Sequence, residues 1–255
     1  MAAKQGYSFI GRYNVLDRAT NADGYDWPID SVLNRFGPYI SNAVSLGCST
    51  GVNEILLGIN YPHLNLKAID INSGRIDIAK SGKWSLKDIR PSGIGVGCDD
   101  ITLQELYERF CPQDYFEIDF EKSVLELLRP VPSVNFMQCD AMDTHFDDES
   151  FDLVMAHMLR GETCFIYDES YARLGEEIER IVKPQGLFWY YPDTIYSGLF
   201  RVIPKGDGSS PFHRILNRNG ILVEEKLPTS RELLFTYPFQ VDDMPEEYVI
   251  SDRNT

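Results

Sequence analysis

Short apolar runs alternate with helical patterns along much of this chain. The first run is Asn42-Ala43-Val44-Ser45-Leu46, closed by Gly47. A helix follows, with Ile55, Leu56 and Leu57 as its apolar face. Leu66-Lys67-Ala68-Ile69-Asp70 reads as a second strand, and Ser73 as the cap of a helix that packs through Ile76, Ile78 and Ala79. From residue 81 to 133 the alternation breaks: Pro91 and three glycines, Gly93, Gly95 and Gly97, precede expected helices at Leu103–Phe110 and Lys122–Leu128. The alternation resumes at Val134–Gln138 and Phe151–Ala156. Asp168–Lys183 has helical periodicity, with Tyr171, Leu174, Ile178, Ile181 and Val182 on one face. Glu176–Arg180 and Glu179–Lys183 stand at the i,i+4 spacing that supports such a helix. Pro184-Gln185-Gly186 ends it, and Leu187–Tyr191 is a fifth strand. Beyond a polar stretch, Gly220–Lys226 and Arg231–Tyr237 read as a hairpin joined by Leu227–Ser230.

Strands alternating with helices predict an α/β fold whose sheet is mostly parallel. The expectation is a single domain over 1–255, with a helical extension over 1–40, an insertion over 81–133 after the second strand, and a hairpin region over 195–255. Hydrophobic residues at 43% and charged residues at 25% suit a folded protein. No run approaches the ~20 apolar residues that span a bilayer, and the start resembles no secretory signal, so a cytoplasmic protein is expected. Five cysteines without a Cys-x-x-Cys pair and four scattered histidines suggest neither a disulfide framework nor a metal site. The net charge of −15 repels a phosphate backbone, which counts against nucleic-acid partners.

The sharpest motif is Gly47-Cys48-Ser49-Thr50-Gly51, where a strand runs into a glycine-bounded turn and a helix. Such a turn presents backbone amides to a ligand, although an ordinary structural turn uses the same residues. Ser49 and Val52 stand where a dinucleotide fingerprint needs glycine, so NAD is not expected. Asp70 closes the second strand nineteen residues after Gly51, near the ~20 at which an acid grips a ribose in nucleotide-binding βαβ units. Asp140 and Ala141 follow the third strand, and His157 ends the fourth. Ligands of open α/β sheets bind beyond the carboxyl ends of the strands, so these segments converge on one crevice. His157 is a candidate base if the acceptor must lose a proton. Phe188-Trp189-Tyr190-Tyr191 suits either an acceptor pocket or a buried strand.

Together these features resemble a Rossmann-like class I S-adenosylmethionine-dependent methyltransferase, and several resemble the chemotaxis-receptor (CheR-type) glutamate methyltransferases. Cys48-Ser49-Thr50-Gly51 is similar to that family's Ala-Ser-Thr-Gly turn. Ile69-Asp70-Ile71-Asn72, Ala79-Lys80-Ser81-Gly82, Leu103–Phe116 and Val182-Lys183-Pro184-Gln185-Gly186-Leu187 are similar to further family segments. The resemblance implies a mostly parallel seven-stranded sheet with a C-terminal antiparallel hairpin. It implies S-adenosylmethionine as cofactor, with Gly47, Cys48, Ser49, Thr50 and Gly51 around its methionine moiety. Asp70 with Ile71 would take the ribose, Asp140 with Ala141 the adenine, and His157 would lie near the methyl. Tyr167 matches the family's active-site tyrosine if extra residues separate it from His157, and Arg12 resembles an upstream arginine. The implied acceptor is a protein carboxylate or a small molecule. Val52 and Asn53 replace two acids of the family, Glu54 follows one place later, and the insertion shows no three-stranded pattern for docking a receptor tail. Two other readings share the cofactor site: a non-catalytic binding or scaffold protein, and an RNA methyltransferase suggested by Pro192-Asp193-Thr194.

Overall fold

The computed structural model describes residues 8–10, 29–85, 89–91, 111–157, 169–191, 198–203, 212–218 and 221–226. Strand β1 (Ser8–Ile10) and helix α1 (Ile29–Phe36) come first, within the expected extension. The alternating part follows as β2 (Asn42–Leu46), α2 (Val52–Asn60), β3 (Asn65–Asp70) and α3 (Ser73–Ser81). The insertion supplies β4 (Lys83–Ser85), β5 (Ile89–Pro91), β6 (Phe116–Asp119) and β7 (Val124–Leu127). Then come β8 (Val134–Gln138), β9 (Phe151–His157), α4 (Glu169–Ile181) and β10 (Val182–Tyr191). The chain continues through β11 (Gly198–Val202), β12 (Phe212–Arg218) and β13 (Ile221–Lys226).

The main sheet runs β13-β12-β11-β10-β9-β2-β3-β8. Strands β10, β9, β2, β3 and β8 are mutually parallel, while β11, β12 and β13 are added antiparallel. The α/β class and the parallel centre are as expected, and among the described residues the sheet has eight strands, where seven were expected for the whole chain. Two of the eight were not foreseen, β11 and β12. Strand β13 pairs back onto β12, with Arg218 opposite Ile221. Arg231–Tyr237 and Leu103–Phe110 lie outside the described residues.

The central strands read as continuous apolar runs because helices cover both faces. On β9, Leu153 and Met155 face one cluster with α1, while Val154 and Ala156 face another with α4. Helix α1 contributes Ile29, Val32 and Leu33, an i, i+3, i+4 stripe that is almost wholly buried. The aromatic run on β10 resolves as core: Phe188, Trp189 and Tyr190 are buried, and Phe188 packs against Tyr190, Phe200 and Phe212. At the strands' N-terminal ends, Asp152 accepts the amides of Ser41 (3.0 Å) and Asn42 (2.9 Å) and the Lys183 ammonium (2.7 Å). Burial raises this carboxyl's pKa, but those three donors more than reverse it and hold the group below its ordinary value.

Three other expectations change. Asn72, not Ser73, caps α3, its carboxamide oxygen accepting the Arg75 amide at 3.2 Å. Helix α4 ends at Ile181, and Pro184-Gln185-Gly186 falls inside β10, where the register with β9 shifts and Gln185 takes φ +66°. Residues 122–128 are not helical: Val124–Leu127 is a strand between β4 and β6, giving an antiparallel sheet β4-β7-β6 within the insertion. Four residues, Val124-Leu125-Glu126-Leu127, are too few to carry a decisive period, and pairing on both sides settles their conformation. Leu125, Trp84 and Phe116 bury the inner face of this sheet against α2 and α3.

Candidate functional site

The strand registers bring the expected site residues to one level. Leu46 stands opposite Ile69 and Ala156, Asp70 opposite Gln138, and His157 opposite Tyr191. The carboxyl ends of β2, β3, β8, β9 and β10 therefore form a common rim. At ~4.8 Å per strand step, the three steps from β8 to β9 span roughly 14 Å.

The glycine turn sits on this rim. Gly47, Ser49 and Gly51 all have positive φ, at 74°, 54° and 75°. For Ser49, an L-residue, that geometry costs about 1 kcal/mol or more and persists only if neighbours enforce it. They do so through several bonds. The Cys48 amide donates to Ile69 O (2.8 Å), the Ser49 amide to Asp70 Oδ2 (2.9 Å) and the Gly51 amide to Cys48 O (3.0 Å). On the far side, Thr50 O accepts Trp84 Nε1–H at 2.7 Å. Gly51 is fixed doubly, since a Cβ there would strike the Phe136 ring and approach Ala79 Cβ to 2.9 Å.

Asp70 is 5% exposed and organises both neighbouring turns. One oxygen takes the Ser49 amide, the other takes the Asn72 amide at 2.8 Å, and Arg75 Nη1 lies 3.7 Å away. A carboxylate has about four lone-pair sites, so two such bonds leave capacity for hydroxyl donors. Ile71, next along, is 66% exposed, an apolar side chain displayed beside the acid. Asp140 closes a turn, its Oδ1 accepting the Met142 amide at 2.9 Å, and Ala141 lies within that turn. The segment behind them is clamped to α4. Glu177 accepts the Thr144 amide (2.8 Å) and hydroxyl and is bonded by Arg180, which also reaches Phe146 O and Asp148.

Two buried acceptors in the turn region, Ser49 Oγ and Asn53 Oδ1, have no hydrogen-bond partner among the described residues. Buried polar atoms are nearly always bonded, so each such exception asks for a cause. Beside them Ser45 Oγ donates to Glu54 Oε1 at 2.7 Å, and Glu54 is 2% exposed. The turn is thus backed by a carboxylate from α2. Burial, with Glu54 and Asp70 nearby, pushes the Cys48 thiol well above its ordinary pKa, so it stays protonated and is no nucleophile.

Gly47, Cys48, Ser49, Thr50, Gly51, Asp70, Ile71, Asp140 and Ala141 are therefore gathered at the sheet's carboxyl rim, with the His157 backbone ending β9 there. Arg12 and Tyr167 lie outside the described residues. Sequence reasoning missed Trp84, whose link to Thr50 spans two elements and leaves no local pattern. It noted Asn53 and Glu54 only as departures from a family. Among the described residues no cluster of His, Cys, Asp or Glu suits a metal ion, and no helix is long and apolar enough to cross a membrane.

Residues 93–190 match the sequence profile of the methyltransferase domain. That stretch covers less than half the chain and includes Asp140, β9, α4 and most of β10, while the glycine turn and Asp70 precede it. The parallel order β10-β9-β2-β3-β8, the glycine turn at its centre and this match agree. The fold is that of a class I methyltransferase. No curated protein matches the chain. Among solved structures it is similar to the YcgJ protein of Bacillus subtilis, at 15% identity and TM-score 0.34, over 59% of this chain and 43% of that one. It is also similar to phosphoethanolamine N-methyltransferase 2 of Haemonchus contortus in complex with S-adenosyl-L-methionine, at 18% identity and TM-score 0.37, over 63% and 26%. A TehB-like SAM-dependent methyltransferase of Corynebacterium glutamicum matches at 13% identity and TM-score 0.36, over 62% and 58%. The chain spans less than two thirds of the length of each.

Proposed function

We propose that the protein transfers the methyl group of S-adenosylmethionine to a carboxylate carried by a protein. The observation that carries the cofactor half is a pair of buried acceptors without a partner among the described residues, Ser49 Oγ in the glycine turn and Asn53 Oδ1 in the first turn of α2, in a chain whose residues 93–190 match the methyltransferase domain. A primary ammonium offers three donors, which suits two acceptors and the nearby Glu54 carboxylate. Asp70 would receive ribose hydroxyls, Ile71 would cover one side of the nucleoside, and Asp140 with Ala141 would border the adenine. The ligand supplies an electrophilic methyl on a sulfonium, which leaves as a neutral thioether. The chain's own task is alignment, for which the rim is suited: Asp70, Asp140 and the turn are tied to strand ends by backbone bonds.

The acceptor half is supported by the β4-β7-β6 sheet in the insertion. In the receptor methyltransferases that the glycine turn resembles, a three-stranded insertion docks the receptor tail. A carboxylate acceptor is ionised at pH 7 and needs no base, which leaves His157 and Tyr167 to orient it rather than take its proton. Arg12 would pair with it. A small carboxylic acid meets the same chemistry. The net charge of −15 argues against an RNA acceptor. A reducing, cytoplasmic setting goes with the free thiols of Cys48, Cys111 and Cys139.

Calorimetric titration with S-adenosylmethionine and S-adenosylhomocysteine tests the cofactor half. Wild type is expected to bind both, and Asp70→Ala to bind at least about tenfold more weakly, the loss of one charge-assisted bond pair. Labelled methyl transfer to glutamate-containing peptides, released as methanol by base, tests the acceptor half. Binding without turnover on any acceptor would favour a non-catalytic protein; no binding by folded wild type ends the cofactor reading.

A further inference from the structure

The turn that carries the candidate site is held from two directions. Asp70, on β3, takes the Ser49 amide at 2.9 Å, and Trp84, on β4 of the inserted sheet, gives its indole N–H to Thr50 O at 2.7 Å. Trp84 is 1% exposed. Its ring lies 6.1 Å from that of Phe116 on β6, centroid to centroid, and shares a buried cluster with Leu125 on β7 and with Cys48 and Val52 at the turn. One side chain thus belongs to both structures, packed by its hydrocarbon and bonded by its nitrogen. The segment it grips contains Ser49 at φ +54°, a conformation that an L-residue keeps only under external restraint.

We propose that Trp84 is a positioning residue: its indole N–H holds the Cys48–Gly51 turn in its ligand-ready shape and makes that shape depend on the inserted sheet. Because Thr50 O is bonded from β4, displacement of the sheet relative to α2 releases the carbonyl and lets Ser49 relax toward negative φ. The dependence is reciprocal, as any coupling between two equilibria must be. Whatever binds the inserted sheet and holds β4 in place therefore raises the turn's affinity for its own ligand, and occupation of the turn stabilises the sheet. The effect on ligand affinity rests on the S-adenosylmethionine reading above, but the effect on the turn does not.

Two substitutions separate the bond from the packing. Trp84→Phe keeps an aromatic ring and loses the donor. Trp84→His superposes its five-membered ring on that of the indole, which keeps an Nε2–H near the same place while losing the benzo ring. Measured at pH 8, where the imidazole is neutral, hydrogen exchange over residues 46–56 is expected to run about tenfold faster in Trp84→Phe than in wild type, with Trp84→His near wild type. S-adenosylhomocysteine affinity should fall about tenfold in the first variant and stay within about threefold in the second, the tenfold being equivalent to about 1.4 kcal/mol. Unchanged exchange in Trp84→Phe overturns the proposal, as does equal loosening in Trp84→His, which would assign the effect to packing. In the unaltered protein, the indole N–H of Trp84 should exchange slowly; a rapidly exchanging indole refutes the bond without any variant. If wild type binds no S-adenosyl ligand, the function proposed above falls, and the exchange data still decide the role of Trp84.

Discussion

At the scale of single residues, the site is defined by atoms that the fold leaves in tension. Asn53 is 7% exposed, and its side-chain oxygen finds no donor among the described residues. An unsatisfied buried acceptor costs about 1–3 kcal/mol. Its removal should therefore be almost free, or stabilising, in the protein without ligand. Asn53→Ala is expected to unfold in urea within about 0.5 kcal/mol of wild type or above it. The same variant should bind S-adenosylhomocysteine about tenfold more weakly. An equal affinity in Asn53→Ala would remove Asn53 from the binding set. Asp70 behaves oppositely, because both of its oxygens already hold backbone amides, so its loss lowers stability as well as affinity.

At the scale of elements, the clamp between α4 and the segment after β8 gives the site its acid limit. Burial raises the Glu177 carboxyl, but bonds from Arg180 and Thr144 outweigh it and hold the group at about 2. Its folded value lies below the ordinary 4.5. The clamp therefore contributes fully above that value and is lost as pH falls toward about 2, to an upper limit of about 3 kcal/mol. Glu177→Gln should lower stability at pH 7 and flatten the acid limb between about pH 4.5 and 2, measured by urea midpoints across pH. Identical slopes in variant and wild type would show that the clamp carries no such linkage. The elements that build the rim were legible for a physical reason: β2, β9 and the second half of β10 send side chains into both buried clusters and read as mostly apolar runs, with Gly47 closing the first and Pro192 the last. Residues 124–127 misled because a segment as short as Val-Leu-Glu-Leu fits strand and helix alike. Strands β11 and β12, on either side of the polar stretch Gly206–Ser210, offered too little pattern to stand out. Of the site, the positions set by local sequence, from Gly47 to Gly51 and Asp70, could be read directly, while the Trp84–Thr50 bond, which spans thirty-four positions, could not.

For the whole molecule, charge and topology carry separate consequences. A net charge of −15 sets a repulsive field toward polyanions, and the chain should fail to retain duplex or single-stranded RNA even at about 50 mM salt, where phosphate contacts are strongest. Gel retardation with both forms checks this; retention that weakens steeply with salt would reveal a basic groove and revive an RNA acceptor. The antiparallel extension bears on how the protein is made. Strands β10, β11, β12 and β13 neighbour one another in chain order, whereas the parallel strands cross over between distant segments. Local pairings close short loops and form quickly, while crossovers carry the larger entropic barrier. All five parallel strands have left the ribosome once residue 191 is clear of it. The slow, long-range part of folding can therefore finish during synthesis, and the last strands add one at a time to an edge already in place.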